Sequence, residues 1–142
     1  MTLVSMALAF VCGPMLEINV DAGPTLRFPL EPDARFSVTY WHSMYDAPVT
    51  ESFVVTETEL RLMTVRSSSP KVLEYLELDG AVDTDLPIER RFGAIAFRVA
   101  TREPQVLAIG AHKRSFREFG GPGTRVVFVP ANSCAAPSAA GK

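Results

Sequence analysis

Little in this chain is of one sign or one chemistry. Fourteen Lys and Arg stand against sixteen Asp and Glu, a formal net charge of -2, which argues against a fold that grips nucleic acid through a basic surface. No uninterrupted apolar stretch reaches the ~20 residues of a membrane-spanning helix. There are only two histidines, His42 and His112, and two cysteines, Cys12 and Cys134. Neither pair has the close spacing of a zinc site, so neither a metal nor a cofactor is expected. A hard cation shared by Asp46, Glu51 and Glu57 is conceivable, but scattered acids are more often a solvated face. Gly120-Gly121-Pro122-Gly123 is not followed by Gly-Lys-Ser/Thr and is not a phosphate loop.

What is present suits one globular domain. Hydrophobic residues make up 47% of the chain and charged ones 21%, enough for a core that needs no metal or disulfide to hold it. A single β domain is expected over residues 1–130, followed by a flexible tail over 131–142, where small residues dominate. Cys134 falls in that tail, so two free thiols are expected. Residues 3–12 are apolar and about as long as a signal-peptide core, but no Lys or Arg precedes them. Ala9-Phe10-Val11-Cys12 is similar to a lipoprotein cleavage site, with bulky Val11 where a small residue belongs. A buried first strand is the favoured reading of that stretch, which leaves the side of the membrane and any membrane association open.

Apolar positions recur with a period of two, the pattern of strands with one buried face. Strands are expected at residues 35–43, 49–55, 60–65, 72–78, 94–101, 105–111 and 124–129, with two earlier ones near 7–11 and 15–20. Asp21-Ala22-Gly23-Pro24, Ser67-Ser68-Ser69-Pro70 and Asp79-Gly80 supply turns between them. Eleven prolines and the absence of a long three-to-four apolar stripe exclude a large helix. The fold class is therefore all-β, a sandwich or partly closed barrel of about eight short, mainly antiparallel strands. A short helical turn near residues 112–119 is possible. There His112-Lys113-Arg114 and Arg117 form a basic patch, suited either to an anionic ligand or to a charged turn anchored by Phe116 and Phe119.

The most informative segment runs from Phe36 to Val55. If its two strands pair with His42 opposite Glu51, then Tyr40 faces Phe53 and Val38 faces Val55, so the apolar sets match. An imidazole and a carboxylate would then meet at the mouth of the hairpin. Tyr45 and Asp46 occupy the connecting loop. Trp41 and Tyr45 form either an exposed aromatic patch or core.

The run Tyr40-Trp41-His42-Ser43, followed by Pro48-Val49 and Glu51, resembles the His-Ser…Pro-Val-x-Glu signature of the bacterial domain of unknown function 1850. Genes of that family often lie beside those of tripartite ATP-independent periplasmic (TRAP) transporters of the TAXI type. The strand Leu26-Arg27-Phe28-Pro29-Leu30 and the closing residues 121–129 extend the likeness more loosely. Two departures stand out. Ser67-Ser68-Ser69-Pro70 replaces a Gly-Ala-Gly segment, and Met44-Tyr45-Asp46 replaces a Val-Glu-Lys kind of loop. The resemblance implies a non-enzymatic accessory of a bacterial solute transport system, and an extracytoplasmic place is suggested by that association alone. Its partner would be a TRAP-TAXI component or a small polar ligand, and no reaction is implied.

On that reading Glu51 orients His42, and with Ser43 and Asp46 they form a polar ligand-binding edge, with Trp41 and Tyr45 as partner-binding residues. No catalytic residue is assigned. One rival is a small hydrolase using His42 as general base, which Ser43 tempts but does not support, since neighbouring strand residues point to opposite faces and no Gly-x-Ser-x-Gly elbow is present. The other is a structural β module in which His42 and Glu51 close a hairpin through buried hydrogen bonds.

Overall fold

A computed structural model describes residues 12–30 and 33–134 of the chain. Ten strands form two antiparallel sheets, packed face to face as an all-β sandwich. Strand β1 (Pro14–Val20) turns into β2 (Thr25–Pro29), and the long hairpin β3 (Arg35–His42) and β4 (Ala47–Val55) leads to β5 (Leu60–Ser67). A short helix α1 (Pro70–Tyr75) follows, then β6 (Leu86–Phe92), β7 (Ile95–Arg98), β8 (Val106–Ile109), β9 (His112–Ser115) and β10 (Arg125–Asn132). The smaller sheet has the order β2-β1-β10-β7 and the larger β6-β5-β4-β3-β8-β9. Both are open and neither closes into a barrel, so of the sandwich and the partly closed barrel the sandwich describes the fold.

Period-two patterning builds the core. Leu16, Ile18 and Val20 on β1 and Val126 and Phe128 on β10 are buried against Phe36 and Val38 on β3 and Val49, Phe53 and Val55 on β4. Phe36 and Phe53 are direct cross-strand partners whose rings stack at 4.9 Å, and Phe128 from the other sheet meets Phe36 edge-on at 5.8 Å. Aromatic pairs at these separations add to the stabilisation from area burial alone. On β5, Leu60 and Leu62 point inward, then a bulge at Met63 resets the phase so that Val65 and Ser67 also face the core.

The all-β class of short, mainly antiparallel strands stands, with ten strands among the described residues. Other expectations need correction. Residues 72–78 are not a strand: Pro70 sits in the first turn of α1, and Val72 and Leu73 are its buried face. Proline is well tolerated there because its missing N–H has no helical partner to lose. The basic patch opens with a strand, β9, and the helical turn is confined to Phe116–Glu118, with Phe116 and Phe119 buried beneath it. The proposed strand at 7–11 and the first eleven residues lie outside the described residues.

The tail boundary also moves. β10 runs to Asn132, and Ser133 N–H donates to the Gly13 carbonyl at 3.0 Å. Cys12 and Cys134 are not free thiols but a disulfide, with their Cα atoms 5.1 Å apart. The reason is register. β1 and β10 pair antiparallel with Pro14 opposite Asn132, so the cysteines two residues beyond each end fall opposite one another. Their sequence separation of 122 hides a contact that strand pairing makes direct. The same bond occupies the Cys12 sulfur, so a lipid thioether on that sulfur is incompatible with this form of the chain.

Candidate functional site

The β3–β4 hairpin sets the site, and its register differs from the one the sequence favours. Val38 lies opposite Glu51, Tyr40 opposite Val49, and His42 opposite Ala47, closing over the turn Ser43-Met44-Tyr45-Asp46. His42 and Glu51 are therefore separated by roughly 13 Å along the hairpin, four residues at the usual strand rise. Sliding one strand by four residues returns every side chain to its own face, so apolar matching cannot distinguish the two pairings. Asp46, at φ 53°, supplies the left-handed residue that the tighter turn requires.

Glu51 consequently has a different partner. It sits on the inner face of β4 between buried Val49 and Phe53, and its Oε1 accepts a 3.0 Å hydrogen bond from the Tyr40 hydroxyl. Burial pushes the Glu51 carboxyl above its ordinary value, while the Tyr40 hydrogen bond and the Arg90 charge act in the opposite direction. The Tyr40 phenol is driven up in turn, first by burial, then by the Glu51 charge and hydrogen bond, with Tyr75 adding to them.

His42 joins an aromatic cluster instead. Its ring stacks on Tyr45 at 5.2 Å and meets Tyr75 edge-on at 5.4 Å, while the two tyrosine rings are 5.8 Å apart. His42 Nδ1 is buried and has no hydrogen-bond partner among the described residues. Tyr75 is the last residue of α1 and is 56% exposed, so one wall of the cluster is open to solvent. All three tyrosines of the chain, Tyr40, Tyr45 and Tyr75, thus gather at this end of the sandwich.

The serine run explains how Tyr75 arrives there. Buried Ser67 donates to the Pro48 carbonyl at 3.0 Å and accepts from the Ser69 N–H at 3.2 Å. These bonds tie the start of α1 to the start of β4, and one helical turn later the chain places Tyr75 beside His42. The segment that departs from the resembled family's glycines is here a helix-starting anchor.

The outer face of the hairpin carries a second group. Trp41 Nε1–H donates to Asp46 Oδ1 at 2.9 Å, the Arg102 guanidinium bonds the same carboxylate oxygen, and Arg102 Cζ lies 4.0 Å from the Trp41 ring. The hydrogen bonds from Trp41 and Arg102 hold the Asp46 carboxyl below its usual range. Arg102 is brought there by a loop pinned from beneath. Buried Gln105 accepts from Ala100 N–H and donates to the Arg98 carbonyl, both at 2.8 Å.

The six residues singled out from the sequence therefore fall into separate settings. His42 and Tyr45 share the cluster; Trp41 and Asp46 share the outer face; Glu51 pairs with Tyr40; Ser43 is exposed on the turn and makes no hydrogen bond to the ring among the described residues. Tyr40, Tyr75 and Arg102 were not assigned. Tyr75 was signalled only by Pro70 followed by Val72, Leu73 and Leu76 at helical spacing. Among the described residues no group of three or more His, Cys, Asp or Glu could hold a metal ion.

Comparison with protein-family models, with curated proteins and with solved structures gives no match for this chain.

Proposed function

We propose that this chain is a non-enzymatic accessory protein of a bacterial TRAP-TAXI type solute transport system. It recognises a component of that system through the His42 end of the sandwich. The observation that carries the reading is the buried Nδ1 of His42, without a hydrogen-bond partner among the described residues, inside a half-open ring of tyrosines. A buried polar atom without a partner costs free energy in the free protein, and a binding partner's hydrogen bond removes that cost. The surrounding surface has the composition of an interaction site: Tyr45, exposed Tyr75, exposed Met44 and, around the turn, Trp41 with Arg102.

The link to transport rests on the resemblance of the His42-Ser43…Pro48-Val49-x-Glu51 run. A place outside the cytoplasm is supported by the Cys12–Cys134 disulfide, since oxidising compartments are where structural disulfides persist. The hydrolase alternative has less support. The carboxylate that would orient the imidazole is bonded to Tyr40, and the adjacent serine is directed into solvent.

The test is affinity capture from membranes of cells that contain a TRAP-TAXI system, comparing wild type with His42→Phe, which keeps the ring stack and removes its nitrogens. Retention of transporter components by wild type and their loss from the variant is the expected result. Equal recovery by both removes the basis for this reading.

A further inference from the structure

We propose that the lateral mouth of the sandwich, away from the His42 cluster, binds a free amphipathic monocarboxylate of the medium-chain fatty acid kind. β2 is an edge of the smaller sheet and β9 an edge of the larger, and a groove of about 460 Å³ lies between them. That volume lies within the range of small-molecule sites. Phe28 and Leu30 form one wall and Leu107 and Ile109 the other, a surface suited to an alkyl chain.

The charges at the groove decide the headgroup. Leu107 pairs with Arg114 and Ile109 with His112 across β8 and β9, and Leu107 and Ile109 are buried. Residues paired directly across two strands share a face, so His112 and Arg114 are presented to the same interior side as those apolar residues. The Arg114 guanidinium stands 5.2 Å over the Phe28 ring, on the groove's opposite wall. Among the described residues that line the groove none is acidic. An apolar trough with a guanidinium and an imidazole at its rim complements one negative headgroup on one hydrocarbon tail. Arginine is the side chain best shaped for a carboxylate, through two parallel N–H···O bonds. The apolar stretch at residues 3–11 contains no acid, so it lacks the charge that would make it the favoured occupant.

The experiment uses the full-length oxidised chain, with ¹³C-methyl and ¹⁵N-histidine labels, titrated with decanoate, 1-decanol and decyltrimethylammonium below their micelle concentrations. Decanoate is expected to move the Leu30, Leu107, Ile109 and His112 signals saturably, with the alcohol and the cation each at least about tenfold weaker, the discrimination one charge-assisted pair provides. Arg114→Gln is expected to weaken decanoate about tenfold while leaving decanol unchanged, on the same grounds. Both Arg114 and His112 are exposed, and His112→Gln serves as the second variant if the first does not fold. Three results would overturn the proposal. Equal binding of decanol with no effect of Arg114→Gln would leave the two cations as guards against strand pairing at a sheet edge. Unmoved groove signals would deny a ligand. Contacts from residues 3–11 to Ile109 that decanoate does not displace would make the chain's own apolar segment the occupant.

Discussion

The hydroxyl of Tyr40 donates to Glu51 Oε1 at 3.0 Å, and this bond, between adjacent strands on the inner face of the larger sheet, takes the carboxylate that the sequence pattern assigns to His42. Its removal has two separable consequences. Tyr40→Phe deletes one partner of a half-buried, charge-assisted hydrogen bond and is expected to cost about 1–2 kcal/mol in chemical denaturation. It also removes an influence that holds the Glu51 carboxyl down. The Glu51 titration followed by ¹³C NMR is therefore expected to move further upward.

Glu51 gives stability a pH dependence of definite sign. Its folded-state pKa is raised above the ordinary 4.5, mainly by burial, so the folded state binds the proton more tightly than the unfolded one. Stability from this group is fully present below about 4.5 and is lost as pH rises through the folded value. Glu51→Gln still accepts the Tyr40 hydrogen bond but does not titrate. Melting curves at a series of pH values are expected to show that this variant loses the acid-side advantage and gains relative to wild type toward neutral pH. A wild type that instead becomes more stable through this window, by an amount Glu51→Gln abolishes, would contradict the assignment.

The disulfide joins the ends of β1 and β10 and closes nearly the whole chain into a loop, with 122 residues of separation between its cysteines. Cross-linking a loop of this size restricts the unfolded ensemble strongly. Reduction, or the double variant Cys12→Ser with Cys134→Ser, is expected to lower stability by about 2–5 kcal/mol without changing the far-ultraviolet circular dichroism of the folded state.

Trp41 is the only tryptophan, so its fluorescence reports on the outer face of the hairpin alone. Arg102→Ala removes the guanidinium over the ring and one donor to Asp46. Asp46→Ala removes the indole's acceptor and places a residue poorly suited to φ 53° in the turn. Each is expected to shift Trp41 emission to the red, and Asp46→Asn, which keeps an acceptor and tolerates the left-handed conformation, much less.

These relationships also show what was legible in the sequence. Strands buried on one face read clearly, because Leu16, Ile18 and Val20 or Phe36 and Val38 alternate with polar neighbours. The two strands that went unread, β6 and β9, are the two edges of the larger sheet. β6 contains Pro87 and the run Glu89-Arg90-Arg91, and β9 consists of His112, Lys113, Arg114 and Ser115. Charge and proline are what natural edges carry to discourage further pairing, and they erase the alternation that marks a strand. α1 went unread because six residues hold too few turns for a helical period. The hairpin itself was legible and its register was not, since a four-residue slip preserves every face. The disulfide and the Arg102 contact depend on which distant strands become neighbours, information that local patterns do not contain.

The chain's two histidines lie in its two candidate sites, His42 in the tyrosine cluster and His112 at the groove. Ring ¹⁵N spectra of the histidine-labelled protein, titrated with the purified periplasmic solute-binding protein of a TRAP-TAXI system from the same cell, therefore test recognition at His42 with His112 as the internal reference. The His42 ring signals are expected to move to saturation while those of His112 stay in place. Movement of His112 alone, or none at His42 with the partner in excess, would contradict it.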